Sequence, residues 1–187
     1  MNIKIEKRIR EKYHQGFERE ISDINTVVIH GTAGGNSAKG LIKWMLSGER
    51  EEQYKRGIAL FHYLIDKNGK IYEIINPDRW VYHSSSGSQD QHTIGIELIN
   101  SGKNNEEEYT TKQYIALWKL LFGKIGEKYN IKRIIGHGAQ KRKWSGGYKN
   151  CPGNFEWFYL GAAVKLYDYK ISDFNKDEER IDIEKRK

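Results

Sequence analysis

Two histidines and the single cysteine of the chain are the residues whose types could hold a metal ion. His30 directly follows the β-branched run 27–29, and His137 directly follows the apolar run 134–136. Open α/β sheets present functional groups at strand ends, so we expect both imidazoles at one crevice. With Cys151 they form a ligand set that zinc prefers, and three protein ligands leave a fourth position for water. The spacing is not that of a zinc finger, and each histidine alone is also consistent with a structural role.

Glu97 places a carboxylate in the middle of the otherwise apolar segment 93–99. Burial of an unpaired carboxylate is costly, so Glu97 requires a partner, a raised pKa or access to a polar cleft. Each of these suits a general acid/base next to a metal-activated water. The alternative is a surface-facing position on an edge strand.

Three further residues have side chains that could take part in catalysis or binding, and each has a simpler structural alternative or role. Lys149 lies two residues before Cys151, so its ammonium would stabilise an oxyanion formed when water attacks an amide, or would be one more solvated lysine of a basic loop. His83, in a polar loop, would donate a hydrogen bond to a bound substrate. His62 lies between two aromatic residues in a predicted strand and fits a structural role better than a ligand role.

A sheet is needed to position these side chains, and the sequence predicts one. The order strand, helix, hairpin, strand, helix, strand, helix predicts an α/β fold with a mixed central β-sheet flanked by helices. The most regular helix is expected over 110–129, with Thr110 or Thr111 as its N-cap. Asn68-Gly69 indicates the hairpin turn. The predicted strands are 26–30, 60–66, 70–75, 93–100 and 132–136, and further helices are predicted over 38–47 and from about 155.

Length and composition set the outer limits of this interpretation. The 187 residues (21.9 kDa) are 37% hydrophobic and 30% charged, which predicts a single globular domain. We expect an N-terminal arm over 1–24, a catalytic domain over 25–172 and a charged tail, solvated or a frayed helix, over 173–187. A lone cysteine excludes an intramolecular disulfide. The net charge of +7 favours an anionic partner: nucleic acid, anionic lipid or an acidic wall polymer.

The sequence resembles the zinc-dependent N-acetylmuramoyl-L-alanine amidases, a family that includes phage lysozyme-type amidases and peptidoglycan recognition proteins. The resemblance covers about residues 26–157 and rests on the order of several short segments. These are Val27-Val28-Ile29-His30-Gly31-Thr32-Ala33-Gly34, Phe61-His62-Tyr63-Leu64-Ile65-Asp66 with Asn68-Gly69-Lys70-Ile71-Tyr72, Trp80-Val81-Tyr82-His83, Thr93-Ile94-Gly95-Ile96-Glu97-Leu98, Ile135-Gly136-His137 and Lys149-Asn150-Cys151-Pro152-Gly153-Asn154-Phe155.

The resemblance implies an amidase fold with one Zn²⁺ per chain and assigns roles to matching positions. It implies that His30, His137 and Cys151 bind the zinc and that Lys149 stabilises the transition state. Many family members have a tyrosine where this chain has Phe61, which cannot donate a proton, so the acid/base role falls to Glu97, as in another branch. The long loop 138–148 is a second departure that would reshape specificity.

We further expect Trp80, His83 and Phe61 to contact substrate, with Phe61 as an apolar wall. The resulting hypothesis is a peptidoglycan hydrolase that cuts the amide between N-acetylmuramic acid and L-alanine with zinc-activated water. A phage or prophage endolysin is the preferred setting, and a cytosolic muropeptide-recycling amidase is the nearest alternative. A non-catalytic peptidoglycan-binding module and a basic nucleic-acid-binding protein remain as other classes, although the second leaves the metal-type residues unexplained.

We expect the partner to be peptidoglycan or a muropeptide, not nucleic acid, and the protein to be a monomer. No apolar run approaches the length of about 20 residues that spans a bilayer, and the first residues lack the apolar stretch of a secretory signal. The expected route is therefore synthesis in the cytoplasm and action on the cell wall after the membrane has been permeabilised.

Overall fold

The computed structural model describes residues 2–84, 86–140, 150–167, 169–176 and 179–185. Within them, eight strands form one sheet and two short strands form another. The strands are β1 (Ile3–Ile5), β2 (Phe17–Glu18), β3 (Thr26–Gly31), β4 (Tyr63–Ile65), β5 (Ile71–Glu73), β6 (Arg79–Trp80), β7 (Thr93–Leu98), β8 (Arg133–Gly136), β9 (Tyr169–Asn175) and β10 (Arg180–Lys185). The large sheet has the order β1-β5-β4-β7-β3-β8-β10-β9, and β2 pairs with β6.

The centre of the large sheet is parallel. β4, β7, β3 and β8 run in the same direction, with Val28 opposite Gly95 on one side and Ile135 on the other. Antiparallel β5 and β10 flank this centre. Strands covered on both faces read as continuous apolar runs, which is the pattern of residues 27–29. The prediction of a mixed central sheet is confirmed.

Helices cover both faces of this sheet. The helices are α1 (Lys7–Lys12), α2 (Ala38–Ser47), α3 (Glu51–Lys55), α4 (Gly87–Asp90), α5 (Thr111–Trp118), α6 (Gly126–Lys128) and α7 (Trp157–Leu166). Wide π-helical turns, Lys119–Ile125, join α5 to α6, and single 3-10 turns occupy Ile21–Asp23 and Lys103–Asn105. Apolar residues of α5 and α7 pack with one face of the central strands, and those of α1, α2 and α3 form the core on the other face.

The predicted helix N-cap and the predicted hairpin turn are both present in the structure. Thr110 is the N-cap of the long helix: its hydroxyl accepts from the backbone N–H of Gln113, whose side chain in turn accepts from the Thr110 N–H. This capping box satisfies two backbone donors at the helix start. The hairpin between β4 and β5 turns at Gly69, whose φ of 79° is readily adopted by glycine.

The C-terminal residues differ from expectation. Where a solvated tail or frayed helix was predicted, β9 and β10 form a hairpin on the edge of β8. Ile181 and Ile183 are 0% and 2% exposed and alternate with charged residues. This period of two is the signature of a strand with one covered face, which the high charge of the segment obscures. The prediction was therefore wrong for the described part of this segment.

The N-terminal segment also joins the fold. β1 pairs in parallel with β5, and Ile9 of α1 is fully buried. The division into an arm, a catalytic domain and a tail remains a prediction, although its boundary at residue 172 falls inside β9. No helix of the described residues is both long enough and apolar enough to cross a membrane.

Candidate active site

The three residues predicted as metal ligands meet at one end of the sheet. His30 is the second-last residue of β3, and His137 directly follows the neighbouring strand β8. Because the two strands are parallel, their carboxyl ends present both imidazoles at the same edge. Cys151 completes the cluster: one ligand atom from each residue lies within 4.8 Å of the others, and each residue is 2% exposed.

The position of Cys151 is held by backbone contacts. The N–H of Gly31 lies 3.4 Å from its Sγ, and the N–H of Gly138 donates to its carbonyl oxygen at 2.6 Å. The thiolate is the form of cysteine that binds metals, and the Gly31 N–H is placed to donate to it. Gly31 must be a glycine, because a Cβ there would lie 2.2 Å from the Tyr109 hydroxyl and 2.4 Å from the Asn105 side-chain oxygen.

Glu97 lies beside the cluster. On β7 it pairs in register with His30 of β3. Residues opposite each other in a parallel pair share a face, so the carboxylate and the imidazole project to the same side of the sheet. Glu97 is half-buried and lines a cleft that also contains all three cluster residues. The alternative of a surface-facing edge position is excluded, because β7 is a central strand.

His83 occupies a position that sequence reasoning did not anticipate. Its side chain is only 2% exposed, and its Nδ1 lies 3.0 Å from Nε2 of His30. Its Nε2 lies 2.8 Å from the hydroxyl oxygen of Thr93. Burial lowers the pKa of His83, an effect that Asp90 opposes. His83 forms part of the cleft floor, but its polar atoms are directed at protein groups, which argues against the expected hydrogen bond to substrate.

Phe61, Trp80 and Lys149 are the other residues predicted to act at the site, and only Phe61 lies in the cleft among those that the structure describes. Phe61 lines the cleft and is 6% exposed, as an apolar wall requires. Trp80 stacks on Phe17 at 4.5 Å and meets Tyr82 edge-on, and it is not among the described residues that line the cleft. The structure therefore gives no support to a substrate-binding role for Trp80. Lys149 lies outside the described residues.

His62 is buried, and its ring meets that of His83 edge-on with the centroids 5.7 Å apart. Its Nδ1 accepts from the N–H of Gly95 at 2.9 Å, which leaves Nε2 as the donor to the Arg79 carbonyl oxygen at 2.9 Å. Burial, together with the positive charge of Arg19 and the neighbouring His83, lowers the pKa of His62 well below its ordinary value. The structural role inferred from its aromatic neighbours agrees with these contacts.

The cleft has a volume of about 730 Å³, and its walls differ in character. One wall comes from α2, α3 and the turn between them, where Arg50 lies 5.5 Å over the ring of Trp44. The opposite wall carries Asn104, Asn105 and Asn150. Sequence reasoning missed both walls, because neither contains a motif and the residues come together only through the fold.

The polar wall is fixed by hydrogen bonds. The side chain of Asn105 accepts from the N–H of Ala33 at 2.7 Å and donates to the Asn150 carbonyl oxygen at 3.1 Å. Behind it, Lys67 reaches both carboxylate oxygens of Glu107, at 2.6 and 2.7 Å. The bonds from Lys67 and Ser101 lower the pKa of Glu107 to about 2. The loop that forms this wall is thus tied to β3, to the segment before Cys151 and to the β4–β5 hairpin.

The geometry supports hydrolytic chemistry. Two imidazoles and a thiol in one buried cluster are a donor set suited to zinc, and a carboxylate on the adjacent strand can move a proton. His30, His137 and Cys151 all line the cleft, so a reactant bound there would lie against the cluster.

The family of the chain is shown by a match to one family profile. The sequence profile of the family described as N-acetylmuramoyl-L-alanine amidase (Amidase_2) matches residues 20–154. No curated protein sequence matches the chain significantly.

Solved structures share the fold at low sequence identity. The N-acetylmuramoyl-L-alanine amidase LysC from Clostridium intestinale URNW is 22% identical, with a TM-score of 0.63 over 88% of this chain and 98% of its own. Drosophila peptidoglycan recognition protein SD is 21% identical, with a TM-score of 0.62 over 86% and 93%. The Ph2119 endolysin of the Thermus scotoductus MAT2119 bacteriophage is 15% identical, with a TM-score of 0.56 over 88% and 97%. The profile match spans most of the chain and contains the cluster and Glu97, and on this basis the chain belongs to the N-acetylmuramoyl-L-alanine amidase family.

Proposed function

We propose that this protein is a zinc-dependent N-acetylmuramoyl-L-alanine amidase that cleaves the amide between N-acetylmuramic acid and the L-alanine of the stem peptide. The observation that carries the proposal is the placement of His30, His137 and Cys151 in one cluster, within 4.8 Å, beside the carboxylate of Glu97 in an open cleft. Family membership supplies the substrate class, and the cluster supplies the means of hydrolysis.

The cluster fits zinc by its chemistry. Zinc takes imidazole nitrogen and thiolate sulfur together, and catalytic sites use three such ligands. The N–H of Gly31, 3.4 Å from Sγ, can donate to the sulfur of Cys151 when it is a thiolate. When bound, zinc would act as a Lewis acid that polarises the amide carbonyl and makes water acidic near neutral pH.

Glu97 is the residue that we assign to proton transfer. It stands next to His30 across the β3–β7 pair, so its carboxylate can accept a proton from water attacking the amide. The same group then returns the proton to the leaving nitrogen of L-alanine. Lys149 is expected from the sequence to stabilise the oxyanion, and the resemblance alone supports that assignment.

Among the described residues that line the cleft, Arg50 is the one cation, and Glu97 and Glu106 are the carboxylates. Arg50 presents a planar guanidinium, and its position over the Trp44 ring orients it while its N–H groups remain suited to a carboxylate. Stem peptides carry carboxylates close to the scissile amide, at the second residue. We assign Arg50 to recognition of that group, with the asparagine wall opposite as hydrogen-bonding partner for peptide or sugar amides.

An endolysin is the biological setting that we propose. One of the similar structures is a phage endolysin and another carries the name of this amidase. The net charge of +7 would assist encounter with an anionic wall polymer. A muropeptide-recycling enzyme remains the second candidate, because the same bond is cleaved in soluble fragments. Comparing turnover on intact walls with turnover on soluble muropeptides would distinguish the two.

Mass spectrometry of purified peptidoglycan after digestion tests the reaction. We expect free stem peptides with an L-alanine N-terminus, and glycan strands without peptides. Glu97→Gln should prevent their release, whereas Glu18→Gln, which changes a carboxylate that is 91% exposed, should not. Chelation should stop the wild-type reaction, and added zinc should restore it. Products cut within the glycan or the peptide, or full activity after exhaustive chelation, would refute the proposal.

A further inference from the structure

We propose that His83 is a positioning residue that fixes the proton and the orientation of His30 for metal binding. The inference rests on the proposed metal site, and it replaces the substrate contact that the sequence suggested for His83. Four observations carry it: a short nitrogen–nitrogen contact, two acceptors behind the ring, a fixed carboxylate and a glycine that makes room.

The first observation is the contact between the rings. Nδ1 of His83 lies 3.0 Å from Nε2 of His30, and the rings meet edge-on with centroids 5.1 Å apart. Two imidazole nitrogens at this distance require one hydrogen between them. This hydrogen is bonded to one of the two rings.

The second observation, the pair of acceptors behind the His83 ring, determines which ring carries this hydrogen. Nε2 of His83 faces the Thr93 hydroxyl oxygen at 2.8 Å and a carboxylate oxygen of Asp90 at 3.4 Å. The Thr93 hydroxyl can direct its own hydrogen to the Asp90 carbonyl oxygen, at 3.4 Å, which leaves its lone pairs facing His83. Nε2 of His83 therefore carries the hydrogen, and Nδ1 is the acceptor. His30 must then be protonated at Nε2, so Nδ1 of His30 holds the lone pair that a metal requires.

The third observation is that Asp90 is itself immobilised. It is 0% exposed, and one of its carboxylate oxygens accepts from the N–H groups of His83 and Ser84, at 3.2 and 3.3 Å. Its other oxygen accepts from the Ser84 hydroxyl. A buried carboxylate held in this way keeps the neighbouring ring in one orientation.

The fourth observation is a glycine under the ring. A Cβ on Gly95 would lie 2.9 Å from Cγ and Nδ1 of His83 and 3.1 Å from Cδ2. The central strand β7 thus lacks a side chain at the position where the His83 ring packs. The absence of a side chain at Gly95 leaves room for the His83 ring to lie against His30.

Zinc affinity, measured by competition with a chromophoric chelator, tests the proposal directly. His83→Leu removes the acceptor, and we expect zinc binding to weaken by about 10–100-fold, the usual loss for an outer partner of a metal ligand. His83→Asn places an amide atom at the position of Nδ1, and we expect it to recover most of the affinity. The matched control is His14→Asn, which changes a half-buried histidine that accepts from the Gly16 N–H at 2.9 Å and packs against Phe17 rather than against His30 or His83. We expect the control to change folding stability while the zinc affinity stays close to that of the wild type.

Thr93→Val provides a second, nearly isosteric variant in case His83→Leu does not fold. It removes the hydroxyl behind Nε2, and we expect a smaller but measurable loss of zinc affinity. Wild-type zinc affinity in folded His83→Leu, or in Thr93→Val where His83→Leu does not fold, would overturn the positioning role. An equal loss of zinc affinity in His14→Asn would also overturn it. A wild-type protein that binds no zinc would instead overturn the proposed function, so the two failures are distinguishable.

Discussion

Gly95→Ala is the substitution for which the structure predicts the clearest effect. The new methyl group would stand 2.9 Å from two atoms of the His83 ring, whereas carbon atoms in contact are ordinarily about 3.5–4.0 Å apart. The ring must therefore move by about 0.6 Å or more. A displacement of that size breaks either the 3.0 Å contact with His30 or the 2.8 Å contact with Thr93.

The expected cost follows from overpacking in a rigid core, about 1–3 kcal/mol. In a domain of 187 residues, each kcal/mol changes Tm by about 2–4 °C, so Tm should fall by about 2–12 °C. The measurement is thermal unfolding of the chelated protein, so that metal binding does not contribute. Zinc affinity should also fall, because His83 can no longer hold His30.

Gly123→Ala is the matched control. It lies in the π-helical turns, and its Cβ would meet nothing within 4 Å. Since alanine restricts the unfolded chain more than glycine, this variant should be more stable by about 0.5–1 kcal/mol. The same substitution is thus expected to have opposite signs at the two positions. If Gly95→Ala leaves both Tm and zinc affinity unchanged, the packing argument for His83 is wrong.

The remaining predictions concern catalysis, recognition and pH. Glu97→Gln should lower kcat by about 10²–10³ while zinc stays bound, and loss of metal would show a structural role instead. Phe61→Tyr should change turnover by less than about tenfold, or 1.4 kcal/mol, and an inactive wild type rescued by it would contradict the role of Glu97. Arg50→Gln should raise KM about tenfold for a muramyl dipeptide with a free carboxylate at its second residue, and leave KM for its carboxamide form unchanged; an equal change for both would exclude carboxylate recognition. Because the pKa of His62 is lowered by burial, its contribution to stability is complete above its ordinary pKa of 6.5 and is lost as the pH falls below it. Urea midpoints should therefore drop between pH 7.5 and 5.5, by less in His62→Asn, and an equal drop in both proteins would argue against this source.

The parts of the site that could be predicted from the sequence are those that follow from local patterns. A β-branched run that ends in a histidine indicates a strand and its carboxyl end, and this holds for His30 and for His137. Glu97 was recognisable because a carboxylate interrupts an apolar strand. These signals depend only on residues that are close in the sequence, so a single chain is enough to detect them.

The parts that could not be predicted depend on which surfaces the fold brings together. Trp80 and His83 lie in the same polar loop, yet one packs against Phe17 and the other reaches under His30. Nothing local distinguishes them, because the difference arises from the pairing of β2 with β6 and from the missing side chain at Gly95. Arg50 lies in a charged segment, and the sequence does not indicate that it lines the cleft, because the orientation of this segment depends on how α2 packs.

The metal site and the fold are coupled through burial. His30, His137 and Cys151 are each 2% exposed, and a metal ion bound to the cluster would interact with all three side chains at once. The three ligands are far apart in the sequence, so the unfolded chain does not hold them together and the ion binds the folded state selectively. A ligand present at 100 times its Kd then stabilises the fold by about 2.7 kcal/mol. Residues behind the ligands, His83 and Gly95 above all, therefore affect folding stability and metal affinity together, which is why the tests above measure stability in the chelated protein and zinc affinity separately.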